Sequence, residues 1–208
     1  WLQQRSETER AARQLLAQQT DALGARLQQQ LGDSSHQLRG LQALFAAAPQ
    51  ELAPDMLGRV LEAQATGAPW PGLLSLSYVP LLLPEQLNDF LARQRSQRPE
   101  FEIRPGGNRP FYAPYARSAA PGSRAVTAGL DALSEPGADI FLFATRDAGS
   151  PQLFVTTMAE LNDQPGFLIA VPLFASGSTP SSVEERRRQI RGWAIARFDL
   201  QTWLEAAQ

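Results

Sequence analysis

The distribution of proline divides this chain into two parts that can fold in different ways. All 16 prolines lie at or after Pro49, so the first 48 residues contain none. Proline inside a helix removes a hydrogen bond and clashes with the preceding turn. A long uninterrupted helix is therefore possible only in the N-terminal part. The remainder, which also holds most of the glycines, is predicted to consist of short elements joined by turns.

Residues 1 to about 48 show the periodicity of an amphipathic helix. Large apolar residues recur at steps of three, four or seven, at Leu16, Leu23, Leu27, Leu31, Leu38, Leu41 and Phe45. This spacing predicts a long helix or a helix pair, with Ser34 as the candidate N-cap if the chain breaks near residues 32–34. Two interpretations of the stripe stay open: it packs on the domain's own core, or it forms a parallel dimer stalk. His36 is expected to lie on the helix surface.

The composition excludes several classes of function. A chain of 208 residues with 43% apolar content can bury a real core. The formal net charge of −2 provides no field that would attract nucleic acid or an anionic bilayer. The chain has no cysteine and one histidine, and it lacks the Gly-x-Ser-x-Gly nucleophile motif. We therefore expect no catalysis in this segment, no metal and no cofactor.

After a connector over 49–71, the patterns predict an α+β domain, 49–208, with an antiparallel sheet. Strands are expected at 73–79, 153–157, 167–174 and 192–198, and a hairpin from 101–104 and 111–116, with 124–130 extended. A helix should begin near Pro84 and end before Pro99, a polar helix or loop should cover 183–191, and a short helix 200–207. Residues 131–145 fit either a strand or a helix by pattern alone.

A series of short motifs follows one another in the second part of the chain. The matching segments are, in order, Val79-Pro80, Phe90 to Arg95, Phe101-Glu102-Ile103-Arg104-Pro105, Tyr112-Ala113-Pro114, Gly129-Leu130-Asp131, Asp147-Ala148-Gly149, Gly166 to Phe174 and Gly192 to Ile195. Their order and spacing resemble the CHASE family of extracytoplasmic sensor domains over residues 41 to 204. The family pattern also places a helix, rather than a strand, after Asp131.

This resemblance implies a long N-terminal helix followed by a PAS-like antiparallel sheet with flanking helices. It further implies the periplasmic sensory domain of a bacterial inner-membrane receptor, with a kinase, nucleotide cyclase or cyclic-dinucleotide enzyme as the cytoplasmic output. Ligand binding would be relayed through the N-terminal helix, expected to form a homodimer, and through flanking transmembrane segments. The start at Trp1, without an initiator Met, is what a fragment following a membrane segment would show. A membrane-proximal second unit is expected to be missing or only begun.

The resemblance also implies a ligand site. In plant members the aspartate of the Gly-x-Asp motif accepts a hydrogen bond from the adenine of a cytokinin, and the matching residue is Asp131. A carboxylate in a cleft can accept N–H groups of a purine or another small polar ligand, but Asp131 fits equally well as the cap of a turn. The other pocket residues implied by the matched strands are Tyr112, Tyr115, Thr156, Thr157 and Ala170. The alternative function is an extracytoplasmic dimerisation or interaction module without a small ligand.

Overall fold

The computed structural model describes residues 22, 24–26, 28–40, 59–60, 63, 70–121, 126–158 and 164–206. Within them the chain forms an α+β domain built on one antiparallel sheet of five strands, in the order β2-β1-β5-β4-β3. The strands are β1 (Leu73–Pro80), β2 (Arg117–Ala119), β3 (Gln152–Met158), β4 (Gln164–Phe174) and β5 (Ile190–Asp199). The α+β class and the antiparallel sheet are thus confirmed.

Short helices connect the strands. They are α1 (Leu87–Gln97), α2 (Ala138–Ala148), α3 (Val183–Gln189) and α4 (Leu200–Glu205), with 3-10 turns at Pro84–Gln86 and Ala132–Ser134. The helix preference for residues 131–145 is confirmed, because Ile140 to Phe143 lie inside α2. The helix expected near Pro84 and the short one at 200–207 are confirmed as well, and the segment 183–191, predicted as a polar helix or loop, contains α3. Among the helices described, none combines the length and apolar character that crossing a bilayer requires.

One face of the sheet, here called the N-helix face, is covered by the helical residues 28–40 and by α4. Its core contains alternate residues of β4 and β5, with Leu38, Trp70 and Trp203 packed on them. Phe167 and Phe198 stack with their ring centroids 4.8 Å apart, and Trp203 meets Phe167 edge-on. Leu38 is fully buried, so this end of the leucine stripe packs on the domain's own core.

The helix does not break near residues 32–34, so of the two forms predicted for this segment the helix pair with a break there is wrong. Residues 28–40 are helical without interruption, and the Ser34 hydroxyl donates to the Gln30 carbonyl one turn earlier. Ser34 is buried inside the helix and is therefore not an N-cap. His36 is exposed, as predicted. The stripe residues 1–21, Leu23, Leu27 and 41–48 lie outside the described residues, so the full length of the helix stays a prediction.

Truncating Leu38 to alanine should lower the free energy of unfolding by about 2–5 kcal/mol, because a fully buried leucine leaves a cavity behind. Urea denaturation measures this loss. Arg39→Ala, on the exposed neighbouring position, is the matched control and should change stability by no more than about 0.5 kcal/mol. Equal effects of the two variants would show that the helix does not pack on the sheet in solution.

The opposite face of the sheet, here called the α2 face, is covered by α2 and by the loops at residues 113–115 and 126–135. Its core contains Val79, Leu168, Ala170, Trp193 and Ile195, with Tyr115, Ala132 and Leu142 packed against them. Residues of β4 alternate strictly between the two faces, since Phe167 and Ile169 belong to the N-helix face and Leu168 and Ala170 to the α2 face. Both faces of β4 are therefore buried.

The predicted hairpin is wrong. Residues 101–104 and 111–116 form only isolated bridges, which join Leu82 to Tyr112, Arg104 to Leu130 and Pro114 to Asp131. The apolar alternation that suggested a strand has another cause, because Phe101 packs edge-on against Phe90 of α1. Prolines also remove ladder donors along this stretch. Of the segment expected to be extended, 126–130 is a loop containing a turn, and 124–125 lie outside the described residues.

Candidate functional site

A buried carboxylate links three loop segments beside the α2 face. Asp131 has no exposed surface. Its Oδ1 accepts N–H bonds from Ala113 and Leu133, each 3.0 Å long. Its Oδ2 accepts a bond of 2.8 Å from Nη1 of Arg109, whose side chain is 24% exposed. Asp131 therefore caps the turn at Ala132–Ser134, as the alternative interpretation predicted, and it holds a charged partner as well.

A second ion pair lies within the α2 face itself. Arg197 is a β5 residue that is 5% exposed, and its Nη1 donates to the hydroxyl of Tyr115 over 3.1 Å. The same nitrogen lies 3.4 Å from Oε1 of Glu135, to which the Tyr115 hydroxyl donates over 3.1 Å. Glu135 is 27% exposed, so this three-residue network runs from the core towards solvent.

Burial keeps the tyrosine of this network neutral. Burial raises the pKa of Tyr115 well above its usual range, and the nearby Glu135 carboxylate acts in the same direction while Arg197 opposes it. Tyr115 therefore stays a neutral donor to Glu135 throughout the physiological pH range. In the same sheet, burial raises the pKa of Tyr78 to about 12.

Two further polar groups lie on this face. Ser75 is paired with Arg197 in the register of β1 and β5, and Trp193 lies in the core of the face. Both are fully buried, and neither the Ser75 hydroxyl nor the Trp193 indole N–H has a hydrogen-bond partner in the part of the chain that the structure describes. A buried polar group that makes no hydrogen bond lowers the stability of the folded state by about 1–3 kcal/mol. The α2 face thus combines buried charge with buried polar groups whose hydrogen bonds are not made within the described residues.

The family model of the CHASE domain matches residues 52–208, well over half of the chain. This chain belongs to the CHASE domain family. CHASE domains are extracellular sensory domains of signalling receptors and are not catalytic. The resemblance seen in the sequence motifs is thereby confirmed. A search of curated proteins returned no match.

The CHASE fold brings part of the predicted site together. Tyr115 and Ala170 lie in the same core cluster of the α2 face. Thr156 pairs with Gly166, two residues beyond the Phe154–Leu168 pair, so it shares this face. Asp131 reaches the cluster through its bond to the backbone of Ala113.

The other two predicted residues lie elsewhere. Tyr112 packs in a separate cluster with Phe90 and Phe101, and its hydroxyl donates to the Gly107 carbonyl over 2.9 Å. Arg109 nevertheless connects Tyr112 to Asp131. Its guanidinium lies 5.4 Å from the Tyr112 ring centroid and donates to the Asp131 carboxylate. Thr157 pairs with Pro165 and is exposed, on the side of the sheet opposite Thr156.

Sequence reasoning missed Arg109, Glu135 and Arg197. A signal existed for Arg197, since it is the one charged residue in the predicted strand at 192–198, and a charge in a buried strand requires a partner. Arg109 and Glu135 lie in loops, where no periodicity marks them. Within the described ranges, no group of three His, Cys, Asp or Glu residues is placed to hold a metal ion.

Proposed function

We propose that this CHASE domain is the periplasmic sensor of a bacterial inner-membrane receptor and that it binds a small polar ligand on the α2 face. The observation that carries the proposal is the set of polar groups on a face that is otherwise apolar. A buried ion pair such as Arg197–Glu135 contributes little net stability compared with apolar residues of similar volume. A binding site, in contrast, uses a few fixed polar groups in an apolar wall to orient its ligand.

The proposed contacts follow from the geometry of this face. Glu135 is the partly exposed end of the network, so the ligand would approach from its side and meet Tyr115 and Arg197 behind it. Ala170 lies on β4, the strand next to β5, two residues from Leu168, which pairs with Arg197. Thr156 lies one strand further away, on β3, and pairs with Gly166, two residues from Leu168 in the other direction. Adenine-like molecules and other small polar compounds with N–H donors fit an acceptor of this kind.

We propose that Asp131 and Tyr112 lie at the edge of this site, where both contact Arg109. Among the described residues, the Asp131 carboxylate accepts three N–H bonds, and Arg109 is the one partner that is not backbone, so a ligand would gain access by displacing Arg109. Thr157 is left out of the proposed site because it faces the other side of the sheet.

The strands β4 and β5 offer a physical route for the signal. Ala170 and Ile195 face the proposed ligand, whereas the neighbouring Ile169 and Ala196 belong to the core on which Leu38 packs. A ligand that alters the position of these strands would therefore alter the packing of the N-terminal helix. It biases signalling only by its differential affinity for two helix arrangements. We propose a PAS-like domain whose helix, in a homodimer, passes the change through transmembrane segments to a cytoplasmic output domain.

Thermal unfolding with a ligand panel tests the sensor proposal. The panel contains adenine-type cytokinins, purines, amino acids and small acids. A ligand at 100 times its dissociation constant adds about 2.7 kcal/mol of stability, which raises the Tm of a domain of this size by about 5 to 10 °C. Tyr115→Phe, which removes only the hydroxyl, should reduce the shift, and Thr157→Val on the opposite face should preserve it.

Two results would contradict this assignment. A ligand whose shift is lost in Thr157→Val but kept in Tyr115→Phe would place the site on the other face of the sheet. A folded protein that responds to no member of the panel, and that is a stable dimer by light scattering, would favour the interaction module without a small ligand.

A further inference from the structure

A group of arginines without carboxylate partners lies at the edge of the sheet, where α1 ends and β2 begins. This arginine cluster consists of Arg95, Arg98 and Arg117. The structure contains five ion pairs within its described residues, and none involves these three side chains. The cluster is separate from the α2-face network, although Tyr115 is only two residues before Arg117 in the sequence.

The donors of two of these arginines converge on the same oxygen. Oε1 of Gln94 accepts a hydrogen bond from Nη2 of Arg98 and one of 3.2 Å from Nη1 of Arg117. Nη2 of Arg117 donates to Oε1 of Gln97, one turn further along α1. The two terminal nitrogens of Arg117 therefore donate to the oxygens of two side chains one helical turn apart. The same two nitrogens form the fork that binds a carboxylate or a phosphate.

The position of Arg98 is fixed by packing. Its Cζ lies 4.9 Å from the ring centroid of Phe101, and its Nη2 also donates to the Ala116 carbonyl over 2.6 Å. Its Nε is buried and has no hydrogen-bond partner within the described residues. Arg95 lies on the same side of the helix end, since its Nε donates to the Phe101 carbonyl over 2.9 Å. The site is thus held in place by backbone and aromatic contacts.

The charge of the cluster is not balanced by its neighbours. Burial, followed by the nearby charge of Arg117, lowers the pKa of Arg98, and Glu100 acts in the opposite direction. Among the described residues, Glu100 is the one carboxylate that acts on Arg98, and the nearby Arg117 offsets it, so an excess of positive charge remains at Arg98. The carbonyl oxygens of Gln94 and Gln97 are neutral acceptors and do not remove it. An anion with at least two oxygens would satisfy both the geometry and the charge.

We propose that Arg98 and Arg117 bind a phosphate group, with Oε1 of Gln94 and of Gln97 marking the positions that two phosphate oxygens would take. Arg95 contributes positive charge beside them. The ligand is inorganic phosphate, a small phosphate ester or the headgroup of a phospholipid, which share the same chemistry. This site is distinct from the proposed sensor site and does not depend on it.

Titration with sodium phosphate tests the proposal, with sodium chloride at equal ionic strength as the reference and calorimetry as the readout. We expect saturable binding that Arg117→Gln weakens about tenfold or more. Gln94→Ala should strengthen binding severalfold, because phosphate no longer competes with the amide oxygen for two guanidinium groups. A merely structural role of Gln94 would not give this gain.

The matched control is Arg93→Gln, which makes the same change of charge at an exposed position of α1 and should leave phosphate binding unchanged. Equal weakening by Arg93→Gln and Arg117→Gln would overturn the proposal, since it would indicate only a diffuse positive field. A response to phosphate no larger than that to chloride would also overturn it. Vesicles of phosphatidylglycerol distinguish the sources: binding to both vesicles and free phosphate supports a lipid headgroup, free phosphate alone supports a soluble ligand, and vesicles alone contradict the site.

Discussion

Replacing Gly129 by alanine should lower the free energy of unfolding by more than about 3 kcal/mol, which is a large part of the stability of a small domain. Gly129 has a φ of +85°, a region that residues with a Cβ adopt only under strain. An added Cβ would also lie 1.9 Å from the carbonyl oxygen of Glu102. Because that atom belongs to the backbone, the clash can be relieved only by moving the loop. Urea denaturation of the purified domain measures the effect.

Gly106→Ala is the matched control for this prediction. Gly106 lies in the adjacent loop, two residues after Arg104, whose N–H donates to the Gly129 carbonyl. An added Cβ at Gly106 has no described atom within 4 Å, and its φ is not positive. Its replacement should change stability by no more than about 0.5 kcal/mol. If Gly129→Ala proves as stable as Gly106→Ala, the close approach of residues 102 and 129 does not exist in solution.

This expectation gives a physical reason for the Gly-x-Asp motif. The Gly129 N–H donates to the Tyr115 carbonyl, and its own carbonyl accepts from the Arg104 N–H, each over 2.9 Å. Gly129 therefore has backbone neighbours on two sides. Asp131, two residues later, lies between Ala113 and Arg109 and accepts a hydrogen bond from each. Gly129 allows the backbone of residue 129 to approach that of Glu102. The Asp131 carboxylate holds the three loop segments together through its hydrogen bonds.

The strand at 167–174 could be predicted from local pattern, because an apolar run lies between turn residues. The helix over Ile140 to Phe143 could not, because its residues fit either element by pattern alone, and the family motifs decided it. The hairpin failed because Phe101 is buried against α1 instead of a neighbouring strand. An aromatic side chain shows the same alternation in either case, so the sequence pattern does not distinguish the two.

The candidate site was only partly predictable for a related reason. Glu135 and Arg197 are separated by 62 residues, and their pairing depends on how α2 folds back over β5. Asp131 and Arg109 are closer in sequence, yet each lies in a loop, where the sequence has no regular period. A motif identified Asp131, whereas its partner became known only from the three-dimensional structure. Both pairings depend on the tertiary structure, which the local residue pattern does not reveal.

Asp131→Ala should lower the free energy of unfolding by about 3–5 kcal/mol, because it leaves the Arg109 guanidinium and two backbone N–H groups without their buried acceptor. Asp131→Asn should cost less, since the amide oxygen can still accept the two N–H bonds from the backbone. Chemical denaturation of both variants measures the difference. Asp139→Ala, an exposed carboxylate in the first turn of α2, is the control and should cost no more than about 1 kcal/mol.

The order of these three variants decides what Asp131 does. If Asp131→Ala is no less stable than Asp139→Ala, the buried contacts of Asp131 are not formed in solution, and the carboxylate is available to a ligand. If Asp131→Ala is strongly destabilised, its failure to respond to a ligand reports damage to the fold and says nothing about binding. Asp131→Asn then becomes the informative variant, because it removes the charge that holds Arg109 while the capped turn remains. A ligand response lost in this variant, at nearly unchanged stability, would mean that Arg109 and Asp131 act together at the entrance of the site.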